Sequence, residues 1–317
     1  MIEIHNLTKN YDRRPVLRGL NMEVKKGEVY GLIGRNGAGK STTMNILCGL
    51  LSRDGGTVTV NGKDPARGER VPVGYLPESP ALYEYMNCYE YLSYIAAAAG
   101  YSGDVKKRIA EVVELVGLTD AAGRKIRGYS RGMKQRVGMA AALYSGQDLI
   151  VLDEPTSALD PQGRAEIMSI ILTLRQMGKT VLLSTHILSD VERVADRVGF
   201  LHNGVITAES GMSSLLETYA DPIISFSVEG EAPGLEDSLR ALPLCDKTAR
   251  NGNDYFVWYN GDKIEASQAL FQFLAQKELP VTRYQLHRAT LEQVYLKIIG
   301  QAAPAAASPV TPVGKEG

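Results

Sequence analysis

Cysteine is scarce in this chain. Cys48, Cys88 and Cys245 lie far apart, lack metal-ligand spacing, and as an odd number give no disulfide framework. Such usage fits a reducing, cytosolic setting. An excess of either charge is missing too. The 35 Lys and Arg stand against 36 Asp and Glu, a net charge of −1. That removes the strong basic face by which nucleic-acid or anionic-lipid binders announce themselves. There are no long apolar runs. A membrane helix needs ~18 consecutive apolar residues, and YIAAAAG at 94–100 falls far short. The opening MIEIHNLTKNYDRR has too little apolar length for a secretory signal. If a membrane is involved, another chain must supply the span. What is present, 44% apolar and 22% charged residues, is the composition of a soluble globular protein. A length of 317 residues suits two domains better than one core.

Residues 1–220 read as alternating strands and helices. EVYGLIG (28–34), DLIVLDEP (148–155) and TVLLSTH (180–186) are apolar runs of the kind found in strands buried on both faces. DVKKRIAEVVELVGL (104–118) puts Val105, Ile109, Val112, Val113 and Val116 on one helical stripe, with Gly117 placed to end it. RAEIMSIILTLRQMGKT (164–180) reads as a helix stopped at Gly178. TVTVNGKD (57–64) alternates by two and meets Asn-Gly, which predicts a hairpin there. The whole pattern is α/β, a mostly parallel sheet with helices on its faces.

Composition shifts near Tyr219-Ala-Asp-Pro222. Beyond it the strands IISFSVEG, a weak one near 244–250, YFVWYN and VTRYQLHR alternate with the helices GLEDSLRAL and SQALFQFLAQKE. The order β-α-β-β-α-β is the ferredoxin-like arrangement. A last helix starts at Thr290, with Gln293 completing a capping box. QAAPAAASPVTPVGKEG (301–317) is an Ala/Pro tail of disordered composition. The expected division is residues 1–218, a small α+β domain at 219–300, and the tail.

The stretch LIGRNGAGKST answers a chemical need. It fits G-x-x-x-x-G-K-[ST] at 34–41, after a strand and before a helix-compatible segment. Gly34, Arg35, Asn36, Gly37, Ala38 and Gly39 form a loop whose backbone N–H groups can turn inward because side chains do not block the approach. The helix that follows, from Lys40, Ser41 and Thr42, aims its N-terminal N–H groups at the same spot. Lys40 would reach β- and γ-phosphate oxygens, and Ser41 would hold Mg²⁺. By itself the motif means nucleotide and no more.

A nucleotide hydrolase also needs carboxylates at a neighbouring strand end. LIVLDE offers Asp153, which would orient Mg²⁺ through water, and Glu154, which would accept a proton from the attacking water. His186 ends the third apolar strand, where a γ-phosphate contact is sterically reasonable if that strand lies beside the other two.

The features follow one another in a fixed order. NLTKNY with Tyr11 comes first, then GRNGAGKST, GYLPES with Glu78, YSRGMKQRV (129–137), LIVLDEPTSALD (149–160) and STH with His186. From Ile2 to about Ala208 the chain thereby resembles the ATP-binding subunit of ABC transporters. The spellings YLPE and SRGMKQR, and the ending TLEQVYLKIIG, are most similar to the cassettes of bacterial export-type systems. The resemblance implies a P-loop NTPase cassette with an antiparallel β subdomain and a helical subdomain at about 79–145. It implies ATP and Mg²⁺ as ligands, Tyr11 stacked on the adenine, and Glu78 supplying an oxygen to Mg²⁺. SRGMKQ stands for the family signature, so Ser130 and Gly132 would serve the γ-phosphate of a second cassette in a head-to-tail dimer. Asp160 would sit at the dimer seam. Two spellings depart from the family. Glu78 replaces the usual Gln, and Arg131 replaces the first signature glycine, where it either helps hold phosphate or points to solvent.

The partners implied are an integral membrane permease and a second cassette, either another copy or a related chain; nucleic acid is not expected. The permease would dock around 79–118, where Tyr83, Tyr85, Tyr89, Tyr91 and Tyr94 either face it or pack locally. The subunit would then be cytoplasmic, held peripherally on the inner face of the membrane. Soluble ABC ATPases of ribosomes or DNA usually carry two cassettes or long coiled-coil or zinc insertions, which are missing from this sequence. A regulatory module without turnover is the third reading, and the intact Glu154 argues against it. A guanine-reading N-K-x-D is absent, which argues against a GTPase.

Overall fold

The computed structural model describes residues 1–302 apart from 13, 69, 70 and 231. The proposed Ala/Pro tail therefore lies, from 303 on, outside the described residues. The chain divides into two compact units, one built on Met1–Met212 and the other Ser213–Lys297.

In chain order the first unit contains β1 (Ile2–Tyr11), β2 (Arg14–Val24), β3 (Val29–Ile33), α1 (Lys40–Leu47), β4 (Gly55–Val60) and β5 (Val73–Leu76). The helices α2 (Cys88–Ala99), α3 (Val105–Leu115) and α4 (Arg131–Tyr144) follow. Then come β6 (Leu149–Asp153), α5 (Pro161–Gln176), β7 (Thr180–Thr185), α6 (Leu188–Val194), β8 (Arg197–His202) and β9 (Val205–Gly211).

The central sheet has the order β5-β6-β7-β3-β8-β9. Its first five strands run parallel, and β9 joins β8 antiparallel. Every residue of β3, β6 and β7 is buried, as parallel strands covered on both faces require. A second, antiparallel sheet has the order β2-β1-β4. One apolar cluster, including Ile4, Leu20, Tyr30, Met44, Val58 and Leu182, packs the two sheets and α1 together. Side chains of this size contribute ~1.5–3 kcal/mol each when fully buried.

The helices start where the side chains say they should. Asn87 and Glu90 form a reciprocal capping box on α2, and Asp104 caps α3. Ile109, Val112, Val113 and Val116 are buried as the stripe requires, while Val105, in the first turn, is only half-buried. Ser130 caps α4 and Asp160 caps α5, each accepting from a backbone N–H three residues on.

The hairpin at 57–64 closes its turn and first pair but grows no returning strand. Asn61 and Gly62 do make the tight left-handed turn, and Val60 and Lys63 exchange backbone bonds of 2.8 and 3.0 Å. The chain then enters a short helical turn at Pro65–Arg67, and β4 takes β1 as its partner. Proline within two residues of the turn ends any returning strand, and the apolar face of β4 is buried against β1.

The second unit begins within α7 (Met212–Thr218) and continues through β10 (Ile223–Val228), α8 (Leu235–Arg240), β11 (Cys245–Asn251), β12 (Asp254–Tyr259), α9 (Lys263–Gln276) and β13 (Val281–Leu286) to Lys297, within α10 (Leu291–Ala302). Its sheet order is β11-β12-β10-β13, with all neighbours antiparallel. This is the ferredoxin-like arrangement read from the element order. Phe226 and Tyr255 stack at its centre, with centroids 5.3 Å apart. Thr290 and Gln293 form both bonds of the capping box, at 2.9 and 3.3 Å.

Candidate functional site

Parallel pairing puts β7 between β6 and β3, so three strand ends open on one crevice. The loop 34–39 leaves β3 there and turns directly into α1. Two of its glycines are forced. A Cβ on Gly34 would stand 2.6 Å from the Leu201 carbonyl oxygen. Gly39 sits at φ +111°, and a Cβ there would meet Leu17 Cδ2 at 2.6 Å. The loop thus lies bare against the sheet, with the N-terminus of α1 behind it.

Lys40 is buried. Its ammonium donates to the carbonyls of Gly34 at 2.7 Å and Arg35 at 3.4 Å. It also lies 3.0 Å from Glu154 Oε1. The other carboxylate oxygen, Oε2, is 2.9 Å from His186 Nδ1. Glu154 is therefore held between the loop lysine and the histidine at the end of β7. It occupies φ +47°, a region non-glycine residues seldom adopt. That conformation turns its side chain out of the line of β6 toward the loop.

A cavity of about 360 Å³ opens here, lined by Val16, Asn36, Gly37, Gly39, Lys40, Ser41, Thr42, Glu78, Glu154, Ser157 and His186. Residues as distant in sequence as Val16 and His186 thus share one wall. Ser157 donates to Glu78 Oε1 at 3.3 Å, which fixes that carboxylate on the cavity rim. Asp153 lies just behind, nearly fully buried. Burial, and then the charge of Asp153, push the Cys48 thiol up to about 12, so this cysteine stays protonated and inert.

Tyr11 stands exposed at the end of β1, with the Lys9 ammonium 5.9 Å from its ring centre. Ser130, Arg131, Gly132 and Asp160 line a different cleft of about 370 Å³ with Met133, Arg136 and Glu166. One chain does not bring them to the phosphate loop. The loop between Glu154 and Asp160 is anchored by Asp190, which accepts from Thr156 at 2.8 Å and from Arg164 at 2.7 Å. Of the five tyrosines proposed to face a partner, Tyr83, Tyr85, Tyr89 and Tyr94 are exposed and Tyr91 is not. Tyr91 lies on the inner side of α2, edge-on to Tyr83, with its hydroxyl aimed at the Ala81 carbonyl.

Two residues escape a reading of the sequence. Asp190 looks like a solvated helix residue. Ser184 looks like part of a strand end, yet it donates to Asp153 Oδ1 at 2.6 Å and accepts from the Glu154 N–H at 3.0 Å. The available signal was a hydroxyl inside the otherwise apolar run VLLS.

A sequence profile described as "ABC transporter" matches residues 17–157. The uncharacterized ABC transporter ATP-binding protein YxlF of Bacillus subtilis is 36% identical over 300 residues, 94% of this chain and 99% of that protein. The bacitracin transport ATP-binding protein BcrA of Enterococcus faecalis is 39% identical over 304 residues, 95% and 96% of the two chains. Among solved structures, a dimeric ATP-binding cassette in a post-hydrolysis state with ADP and Pi superposes with a TM-score of 0.61. It is 26% identical and covers 67% of this chain and 99% of its own.

Proposed function

The chain belongs to the family of ABC transporter ATP-binding subunits, ATPases built on this cassette, and from that premise we infer that it powers export through a separate membrane permease. The observation that carries the enzymatic reading is the convergence of Lys40, Glu154 and His186 on the loop cavity. A transport role is supported by relatives of nearly full coverage, one of them named for bacitracin transport. Among the described residues no helix is long and apolar enough to cross a membrane, which fits a permease on another chain.

In this reading the loop N–H groups cradle the ATP phosphates and Tyr11 stacks on the adenine. Lys40 leaves Glu154 for the β- and γ-phosphate oxygens, a stronger counter-charge. Glu154 is then free to take the proton of the attacking water, while His186 reaches the γ-phosphate. Ser41, Glu78 and, through water, Asp153 would hold Mg²⁺, which neutralises charge on the phosphates. Their chemistry fits that ion. Among the described residues no group of three or more His, Cys, Asp or Glu could hold a metal unaided. Mg²⁺ in nucleotide sites needs only one or two carboxylates, because phosphate and water complete its shell.

The Ser130 hydroxyl and the open N-terminus of α4 at Gly132 would complete the γ-phosphate site of a second cassette, with Asp160 at the seam. ATP would close that dimer, and hydrolysis would reopen it. The exposed tyrosines at 83, 85, 89 and 94 would receive the permease and keep the subunit at the inner face of the membrane.

Glu154→Gln tests the chemistry. The variant keeps its ATP affinity, accumulates an ATP-dependent dimer on size exclusion, and loses turnover by ~10²-fold or more, the usual worth of a general base. Turnover at the wild-type rate would remove Glu154 from the role of base.

A further inference from the structure

We propose that Ser184 is a positioning residue for both acidic groups of the site. It deepens the reading of Asp153 and Glu154 given above and rests on it. Ser184 is fully buried in β7, and the sheet register makes it the direct partner of Asp153 on β6. A serine hydroxyl has one proton to give and two lone pairs. Here the proton goes to Asp153 Oδ1 at 2.6 Å, the short distance of a hydrogen bond to a carboxylate. A lone pair accepts the Glu154 N–H at 3.0 Å, and the Ser184 carbonyl accepts the same N–H at 3.2 Å.

Two consequences follow. The Asp153 carboxylate is fixed in rotation, with Oδ2 free of hydrogen bonds among the described residues and so available to a metal-bound water. The Glu154 amide is tied down at φ +47°, the conformation that carries its side chain to Lys40 and His186. One hydroxyl therefore sets the metal-side acid and the water-side base together. Because His186 lies two residues further along the same chain segment, β7 governs all three groups.

The test separates positioning from mere packing. In the Glu154→Gln background, Mg²⁺ is titrated onto protein carrying a fluorescent ATP analogue, and the midpoint of the anisotropy change is read. Ser184→Ala should raise that midpoint about ten-fold, the usual effect of losing a group that orients a metal ligand. Binding of the analogue in EDTA should stay unchanged, and Ser184→Thr, which keeps the hydroxyl, should restore the midpoint. If Ser184→Ala does not fold, Ser184→Cys, with its weak donor, takes its place with the same expected direction. An unchanged midpoint in the folded variant, while Asp153→Asn shifts it, overturns the proposal and leaves the site reading standing. An unchanged midpoint in Asp153→Asn overturns the metal role of Asp153 and the proposal with it.

Discussion

Lys40 shows how much of this site is decided one residue at a time. Its ammonium donates to two carbonyls of its own loop and lies 3.0 Å from a Glu154 carboxylate oxygen, so the site rests with its opposite charges paired. That arrangement depends on a loop able to lie close to the sheet, and Gly39 is its tightest point. Alanine there would keep φ near +111° against its own preference and press on Leu17 Cδ2. Gly39→Ala is expected to cost ~1–3 kcal/mol of stability, the scale of backbone strain at such positions. It should also weaken binding of a fluorescent ATP analogue at least ~10-fold, a loss of ~1.4 kcal/mol or more. Urea unfolding and anisotropy measure the two effects; unchanged affinity would show that the loop does not need its observed path. Lys40, Asp153, Glu154 and His186 were legible because each occupies a fixed place in an ordered set of motifs. Ser184 was not, because its importance comes from sheet register, and register between β6 and β7 is written in no local pattern.

Single elements were read well where their signals are local. The cap of α10 sits on Thr290 and Gln293, as their spacing predicts. Pairing between distant strands was not readable. β4 carries a true Asn-Gly turn, but its partner lies at the start of the chain. What replaces the missing returning strand is an ion pair. Arg53, just before β4, holds Asp64, just after the turn, with both terminal guanidinium nitrogens, at 2.7 and 2.8 Å. Asp64 also caps the short turn by accepting from the Ala66 N–H. These bonds, the Arg53 bonds first, lower the Asp64 carboxyl to about 2, against ~3.9 in an unfolded chain. The folded value is the lower one, so the contribution is in place above ~pH 4 and is lost as pH falls toward the folded value. Asp64→Asn should therefore lower the urea midpoint at neutral pH, and its difference from wild type should shrink between ~pH 4 and ~pH 2. A difference that stays constant across that range would mean the carboxylate charge is not what closes β4.

At the scale of the molecule, the separation of two clefts decides what kind of machine this is. The cavity with Lys40, Ser41 and Glu154 and the cleft with Ser130, Gly132 and Asp160 lie on the same unit without meeting. Under the proposed function a single chain would therefore hold two unlike half-sites. In the two-fold dimer proposed above, the first half-site of one copy would meet the second half-site of the other, twice over. Inactive chains should then rescue one another. Lys40→Ala removes the phosphate lysine from one half. Gly132→Asp puts a negative charge at the N-terminus of α4 in the other half; the nearest atom to its Cβ, Gly163 Cα at 3.6 Å, leaves room for it. Each variant alone should have almost no ATPase activity, because every site in its dimer is damaged. Mixed in equal amounts, half of the dimers pair unlike chains, and each of those has one intact site and one doubly damaged site. The mixture should recover about a quarter of the wild-type rate if the two sites fire independently, and less if they must fire together. No recovery at all, with mixed dimers shown to form, would mean either that both halves must be intact for any turnover or that the working partner is a different chain. Repeating the mixture with a wild-type chain separates these outcomes: a different obligate partner predicts that even wild-type protein alone is inactive.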